Sequence, residues 1–308
     1  MGNRLINAKV PAHGVPAGSY EGKTMLRSLN DIQDYAMHAT DGDIGHLRDV
    51  TFDERTWVVR YLVVDAGTWL ANRQVLISPI GIAPINWREQ SIPVSITRQQ
   101  VERSPAFDSL QPLTREHEIE YLGHYRFPFY WGGTNIWGSE TYPRDLKVPS
   151  VGLDIPPFNL LREEQGDFPA RESGVMHQDP ALHSAIGLKG CRVVASDGDV
   201  GHVTDLVFDE DTWAIRYLVV ETTDWWQAHQ LLIAPQSIDK IDWGDITINL
   251  SMVRHEVKAF PHHDPSVKVD RHDEVGAAQP HVSPDYWIVE VAREEEQQPS
   301  SLRKTAVM

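Results

Sequence analysis

One passage of this sequence occurs twice. Asp41–Val64 reads DGDIGHLRDVTFDERTWVVRYLVV, and Asp197–Val220 reads DGDVGHVTDLVFDEDTWAIRYLVV. The copies hold a constant offset of 156 positions without a gap. The match starts near Ser28 and Ser184 and is densest from Asp41–Trp87 against Asp197–Trp243, where about half of the positions are identical. It continues through Arg98 and Arg254, Val101 and Val257, and Pro105 and Pro261, then resurfaces as Tyr130-Trp131 against Tyr286-Trp287. A period this long exceeds the roughly 20–50 residues of solenoid units. It predicts a duplicated domain whose unit includes a tail beyond its main body. The expected organisation is a first unit over 24–108, a connection over 109–180 that packs on the units, and a second unit over 181–264. The tail, 265–308, is expected to be ordered in part near 284–291 and frayed after it.

Each unit reads as β. Gly42 in the Asp-Gly-Asp triplet is suited to a turn. The stretch after it puts Val50 and Phe52 on one face, with Arg48 towards an outer end. The stretch from Trp57 to Val64 alternates with apolar residues on both faces, which predicts a strand covered on both sides. RQVLISP and SIPVSIT predict two more strands, the first ended by Pro79. TRQQVERS has the spacing of a short helix with Thr97 as N-cap, and TREHEIEYLGHY predicts another. Several short strands at close spacing favour a small barrel over an open sheet. The fold class expected is therefore mainly β: two small barrels in pseudo-symmetric tandem, with short helices and a long irregular connection rich in Pro and aromatics.

A length of 308 residues is enough for two cores. No run of 18 apolar residues predicts a membrane-spanning helix, and the first residues, MGNRLINAKVPAHGVPAG, lack the apolar stretch of a signal peptide. The single cysteine, Cys191, rules out an internal disulfide and fits a reducing, cytoplasmic setting. A net charge of −16 repels phosphate backbones, so nucleic acid is not an expected partner.

The repeated residues resemble a known family. DGDIGH, the acidic turn FDERT, the strand YLVVD and the ending VLISP are similar to the PRC-barrel domain, and the second copy repeats them as DGDVGH, FDEDT, YLVVE and LLIAP. That small β-barrel occurs in the cytoplasmic part of the photosynthetic reaction-centre H subunit and in the C-terminal domain of the ribosome-maturation factor RimM. The resemblance covers about half of the chain. It implies a module that docks onto other macromolecules, and it carries no catalytic motif. The H subunit's membrane-spanning helix has no counterpart here, nor does RimM's different N-terminal barrel.

The matched residues Gly45, Gly201, Asp49, Asp205, Trp57, Trp213, Arg60, Arg216, Tyr61 and Tyr217 are read as the structural core of the repeat. Tryptophans that recur with the scaffold fill the same space twice. Trp137 and Trp226 have no tryptophan counterpart and are the candidates for an interaction surface. Arg60 and Arg216 lie inside apolar strands and need a partner, for which Asp49 and Asp205 are the nearest candidates. The carboxylates of the turns, Asp41, Asp43, Asp53 and Glu54 with their repeats, are too closely spaced for a calcium loop and are read as turn chemistry. His262, His263, Asp264 and His272 form a weak candidate metal cluster without the spacing of a zinc protease motif. His46 and His202 are read as edge residues, and Cys191 as a buried thiol.

These readings favour a non-catalytic adaptor, cofactor-free, that binds a protein or the cytoplasmic face of a membrane-protein complex. The two units are expected to pack as an internal pseudo-dimer, with peripheral membrane association open. Two alternatives remain. One is an H-subunit-like role in electron or proton transfer to quinone. The other is a metal-dependent enzyme using the C-terminal His/Asp cluster.

Overall fold

The computed structural model describes residues 26–108, 111–146, 179–223 and 229–263. Within them the chain is mainly β, with two sheets and a few short helices. The first half supplies β1 (Leu26–Ser28), β2 (Ala36–Ala39), β3 (Gly42–Asp53), β4 (Val58–Asp65), β5 (Gln74–Ile77) and β6 (Ser91–Pro93). The second supplies β7 (Leu182–Ser184), β8 (Arg192–Ala195), β9 (Gly198–Asp209), β10 (Ile215–Thr222), β11 (Gln230–Ile233), β12 (Ile238–Asp242) and β13 (Thr247–Leu250). One sheet runs β5-β4-β3-β2-β6, the other β11-β10-β9-β8-β13-β12. Among the described residues neither order closes hydrogen bond by hydrogen bond into a ring. Both sheets are antiparallel except where β2 meets β6 and β8 meets β13.

The two halves exchange their first strands. β1 does not join its own sheet but pairs antiparallel with β9, placing Leu26 opposite Asp209 and Ser28 opposite Val207. β7 pairs in return with β3, setting Leu182 opposite Asp53 and Ser184 opposite Thr51. Between these paired edges the chains touch again. Val58 and Ala214 form a β-bridge, Val59 N–H donates to Trp213 O at 2.9 Å, and Ile215 N–H donates to Trp57 O at 2.7 Å. One hydrophobic core runs through both halves and includes Phe52, Val58, Tyr61, Phe208, Trp213 and Ala214.

Two local features explain why the long strands keep their residues in both copies. At Gly45 a Cβ would lie 2.0 Å from Asp65 O, and at Gly201 a Cβ would lie 2.0 Å from Glu221 O. β3 and β9 cross the ends of their neighbours where only glycine fits. Both hairpins also carry a bulge on the second strand. Thr51 faces Tyr61 and Phe52 faces Val59, so Arg60 is the extra residue. Val207 faces Tyr217 and Phe208 faces Ile215, so Arg216 is the extra residue.

Trp57 and Trp213 do not share the strand's alternation. Each lies just before it in left-handed backbone, with φ of 55° and 60°. Arg48 is exposed at a second bulge of β3.

Both expected helices form. α2 (Arg98–Glu102) has Thr97 as N-cap with Gln100 completing a capping box. α3 (Arg115–Tyr125) is capped by Thr114. Three single-turn helices, α1 (Leu29–Ile32), α4 (Ala185–Leu188) and α5 (Arg254–Val257), are the other α-helices among the described residues. The described stretch 111–146 of the connection packs its aromatic residues and Leu122 onto the first half, with Tyr121, Leu122, Tyr125, Tyr130 and Trp137 all buried.

Candidate functional site

Two constellations gather the polar residues of the repeat: the seam between the halves, and a cap over the first half. The seam is built on exchange. Ser184 is the N-cap of α4, and its hydroxyl donates to Asp49 Oδ2 at 2.5 Å. Ile186 N–H, in the first turn of α4, donates to Asp49 Oδ1 at 3.1 Å. The reciprocal set uses Ser28, the N-cap of α1. Its hydroxyl donates to Asp205, whose other oxygen accepts from Asn30 N–H at 3.2 Å. Each aspartate therefore finishes the helix start of the opposite half. Burial raises the pKa of both aspartates, and these hydrogen bonds oppose the rise.

The turn carboxylates reach across as well. Glu54 accepts from Trp243 Nε1 at 2.9 Å and pairs with His183 at 2.9 Å. Glu210 accepts from Trp87 Nε1 at 2.9 Å and pairs with Arg27 at 3.2 Å. His183 lies flat on Trp243, with ring centroids 3.9 Å apart and planes at 7°. Arg27 sits 4.0 Å over the Trp87 ring. Burial lowers the His183 pKa against the pull of Glu54. Turn chemistry accounts for Asp41 and Asp197, which accept from Arg98 N–H and Arg254 N–H and so cap α2 and α5.

The partner expected for the buried arginines needs correction. Asp49 and Asp205 are engaged with Ser184 and Ser28, while Arg60 and Arg216 turn to the carboxylates that end β3 and β9. Arg216 Nη2 donates to Asp209 Oδ2 at 3.0 Å, with both side chains almost fully enclosed. Arg60 lies 4.0 Å from Asp53 and donates to Ile136 O at 2.7 Å and to Thr56 Oγ1 at 3.1 Å. The bulge supplies the physical reason, because it rotates the arginine out of strict alternation.

The cap belongs to the connection. α3 places Glu118, fully buried, beneath the sheet residue Tyr61. Glu118 Oε1 accepts from Tyr61 OH at 3.0 Å and from Tyr130 OH at 2.5 Å, and Oε2 accepts from Arg115 Nη1 at 2.5 Å. The Arg60 guanidinium stacks 4.1 Å from the Tyr130 ring and 4.8 Å from Trp137. Arg115 stacks 4.1 Å from Trp131. Tyr121 OH donates to Leu76 O at 2.6 Å and accepts from Leu76 N–H at 2.7 Å. Burial pushes up the pKa of Glu118, against the attraction of Arg115.

Trp137 is therefore no surface residue. It is fully buried, and its Nε1 donates to Thr212 O at 2.8 Å, tying the cap to the second half. Trp226 lies outside the described residues. Tyr217 is half-buried.

Of the histidine cluster, Asp264 and His272 lie outside the described residues. His262 bridges to Leu231, with its ring 4.8 Å from that of His229, and His263 N–H donates to Gln230 O at 2.8 Å. Among the described residues no group of three His, Cys, Asp or Glu side chains is placed to hold a metal ion. His46 and His202 are exposed. The Cys191 thiol is buried and its pKa is raised by that burial.

Arg115, Glu118 and Tyr130 are the residues that the reading of the sequence missed. Their signal is a carboxylate three residues after an arginine on a helix that opens an aromatic-rich stretch.

Among the described residues no helix is long and apolar enough to cross a membrane. No curated protein matches the chain. The second copy of the repeat does match a family model: residues 187–251, from the middle of α4 to the residue after β13, carry a PRC-barrel domain.

Proposed function

We propose that the protein is a non-catalytic docking module in which two PRC-like barrels, pairing as an internal pseudo-dimer, present one acidic surface to a protein partner. The observation that carries this reading is the use made of the matched polar residues. Asp49, Asp205, Glu54, Glu210 and Asp209 each serve a hydrogen bond or ion pair that holds the fold together. The chain carries a net charge of −16, and a surface of that sign favours a basic partner through long-range attraction. The PRC-barrel match supports a protein-interaction module. A cytoplasmic setting agrees with a single, buried cysteine, and the partner includes proteins at the cytoplasmic face of a membrane complex.

The test is crosslinking in native cells followed by titration of the purified partner. A stoichiometric complex whose affinity falls at least about tenfold between 50 and 500 mM salt supports the reading. A protein recovered without any stoichiometric companion at low salt overturns it.

A further inference from the structure

We infer that a trough on the first half, running from the turn after α1 past the Arg48 bulge of β3 to the start of α4, receives the C-terminus of a protein partner. The occupant ends in an aliphatic residue with a free carboxylate, and a basic residue lies one or two positions before it. The inference rests on the docking reading above and adds where the partner sits and by what chemistry it is held.

Two depressions share Leu47 and Arg48 as a common wall. The larger, about 280 Å³, is polar and is lined by Asp34, His46, Asp65 and Asn72 as well. The smaller, about 20 Å³, has an apolar floor that includes Leu29, Ile32, Val50 and Ile186, and Lys189 also lines it. Ile186 is 40 % exposed. Among the described residues the side chains of Asp34 and Arg48 have no hydrogen bond or ion pair. Asp65 accepts from Gly67 N–H at 2.9 Å and has no cationic partner there.

These charges suit one kind of occupant. Asp34 and Asp65 favour an ammonium or guanidinium group at the polar end. Arg48 favours a carboxylate at the shared wall, which its planar fork grips through two oxygens. Lys189 adds to the positive field, with its ammonium donating to Gln33 Oε1 at 3.3 Å. Asp49, the carboxylate of the smaller depression, is already engaged by the Ser184 hydroxyl and Ile186 N–H. A C-terminal residue holds its carboxylate and its side chain on one carbon. The carboxylate then meets Arg48 while an aliphatic side chain covers Leu29 and Ile186.

The second half serves as an internal control. At the offset of 156, Asp34 corresponds to Gly190, Arg48 to Thr204, Gln33 to Lys189 and Asn30 to Ile186. Gly190 takes the same left-handed backbone, with φ of 83° against 63° at Asp34, so the turn itself does not require aspartate. Thr204 is the extra residue of the matching bulge, and its hydroxyl donates to Val219 O at 3.3 Å. The scaffold recurs, whereas Asp34, Arg48, Ile186 and Lys189 do not.

Titration of the full chain, with labelled isoleucine methyls read by NMR, tests this. The probes are two synthetic peptides with free carboxylates, ending Lys-Leu and Lys-Ser-Leu. At least one is expected to shift the Ile186 methyl signal saturably, with a Kd below about 1 mM. Asp34→Gly and Arg48→Thr, which install the residues of the second half, should each weaken binding by about threefold or more. Amidation of the peptide should weaken it by about tenfold or more. Both variants should melt within about 3 °C of the unaltered chain. Titrations without saturable shifts for either peptide overturn the proposal. So does an amide that binds as tightly as the acid, or binding unchanged when Asp34→Gly and Arg48→Thr are combined. A native partner captured equally by the unaltered chain and by this double variant overturns the trough as its site and leaves the docking reading standing.

Discussion

Asp49 accepts a hydrogen bond at 2.5 Å from the hydroxyl of Ser184, a residue 135 positions further along the chain that opens a helix of the other half. Asp205 and Ser28 repeat the contact in the opposite direction. The removal of either carboxylate strips a helix start of its acceptor and leaves a half-buried hydroxyl to find another. Asp49→Ala and Asp205→Ala are each expected to lower stability by about 1–3 kcal/mol. Urea unfolding checks this. The double variant should unfold in one transition, because one core spans both halves.

Within the second half Arg216 and Asp209 form an almost fully enclosed ion pair. Arg216→Ala removes the cation at Asp209 Oδ2, while Oδ1 keeps the N–H donors of Asp211 and Thr212 at 3.0 and 3.1 Å, and the loss of a charge partner for so enclosed a carboxylate should cost about 3–5 kcal/mol. Arg216→Met combined with Asp209→Asn should recover most of that loss in a thermal or urea melt. A double variant no more stable than Arg216→Ala would show that the pair is not the source of the effect.

Glu118 gives a pH signature. Burial holds its folded-state pKa above the ordinary carboxylate value. A group of that kind binds its proton more tightly when folded, so its contribution is complete below the unfolded pKa. It is lost as pH rises through the folded pKa. The stability advantage of the unaltered protein over Glu118→Gln should therefore shrink as pH climbs from the carboxylate range towards neutrality. Urea midpoints for both proteins across that range read the difference. A constant gap would rule out this role for Glu118.

The exchanged strands set an expectation for the halves in isolation. Residues 1–150 carry both β1 and β3, yet in the full chain β1 belongs to β9 and β3 receives β7. Leu26 and Ser28 match Leu182 and Ser184, so β1 can lie on β3 of a second copy in the place of β7. The fragment should therefore be a homodimer by light scattering. Asp49→Ala should weaken that dimer by about tenfold or more, the equivalent of a lost charged hydrogen bond. A well-folded monomer at high concentration would contradict this account.

Much of the scaffold was legible in the sequence because the repeat and the alternation are local. α2 announced itself through Thr97 and α3 through the stretch TREHEIEYLGHY, and the strand ends through Gly42 and Pro79. The exchange of β1 and β7 was not legible. Matched strands have the same pattern of apolar residues, and the pattern does not say which copy receives them. Arg60 was assigned to Asp49 because strict alternation cannot foresee a bulge, and that bulge carries the side chain to Asp53, Thr56 and Ile136 instead. Trp137 was misjudged for a different reason. Its lack of a tryptophan counterpart reflects the asymmetry of the connection rather than exposure, and it fills the joint between cap and second half. Glu118 escaped notice because a carboxylate on a short helix with two acidic neighbours looks solvated until Tyr61, Tyr130 and Arg115 are found around it.

The exchange of first strands also governs the order of events on the ribosome. Arg27 meets Glu210 across 183 positions of chain. At about 5–20 residues per second, roughly 10–40 s pass between the synthesis of the one and of the other. Through that interval β1 has no native edge to join within its own polypeptide, and β3 waits similarly for β7. Nascent chains crowded on one messenger therefore carry the same strand that each one's own second half will later supply.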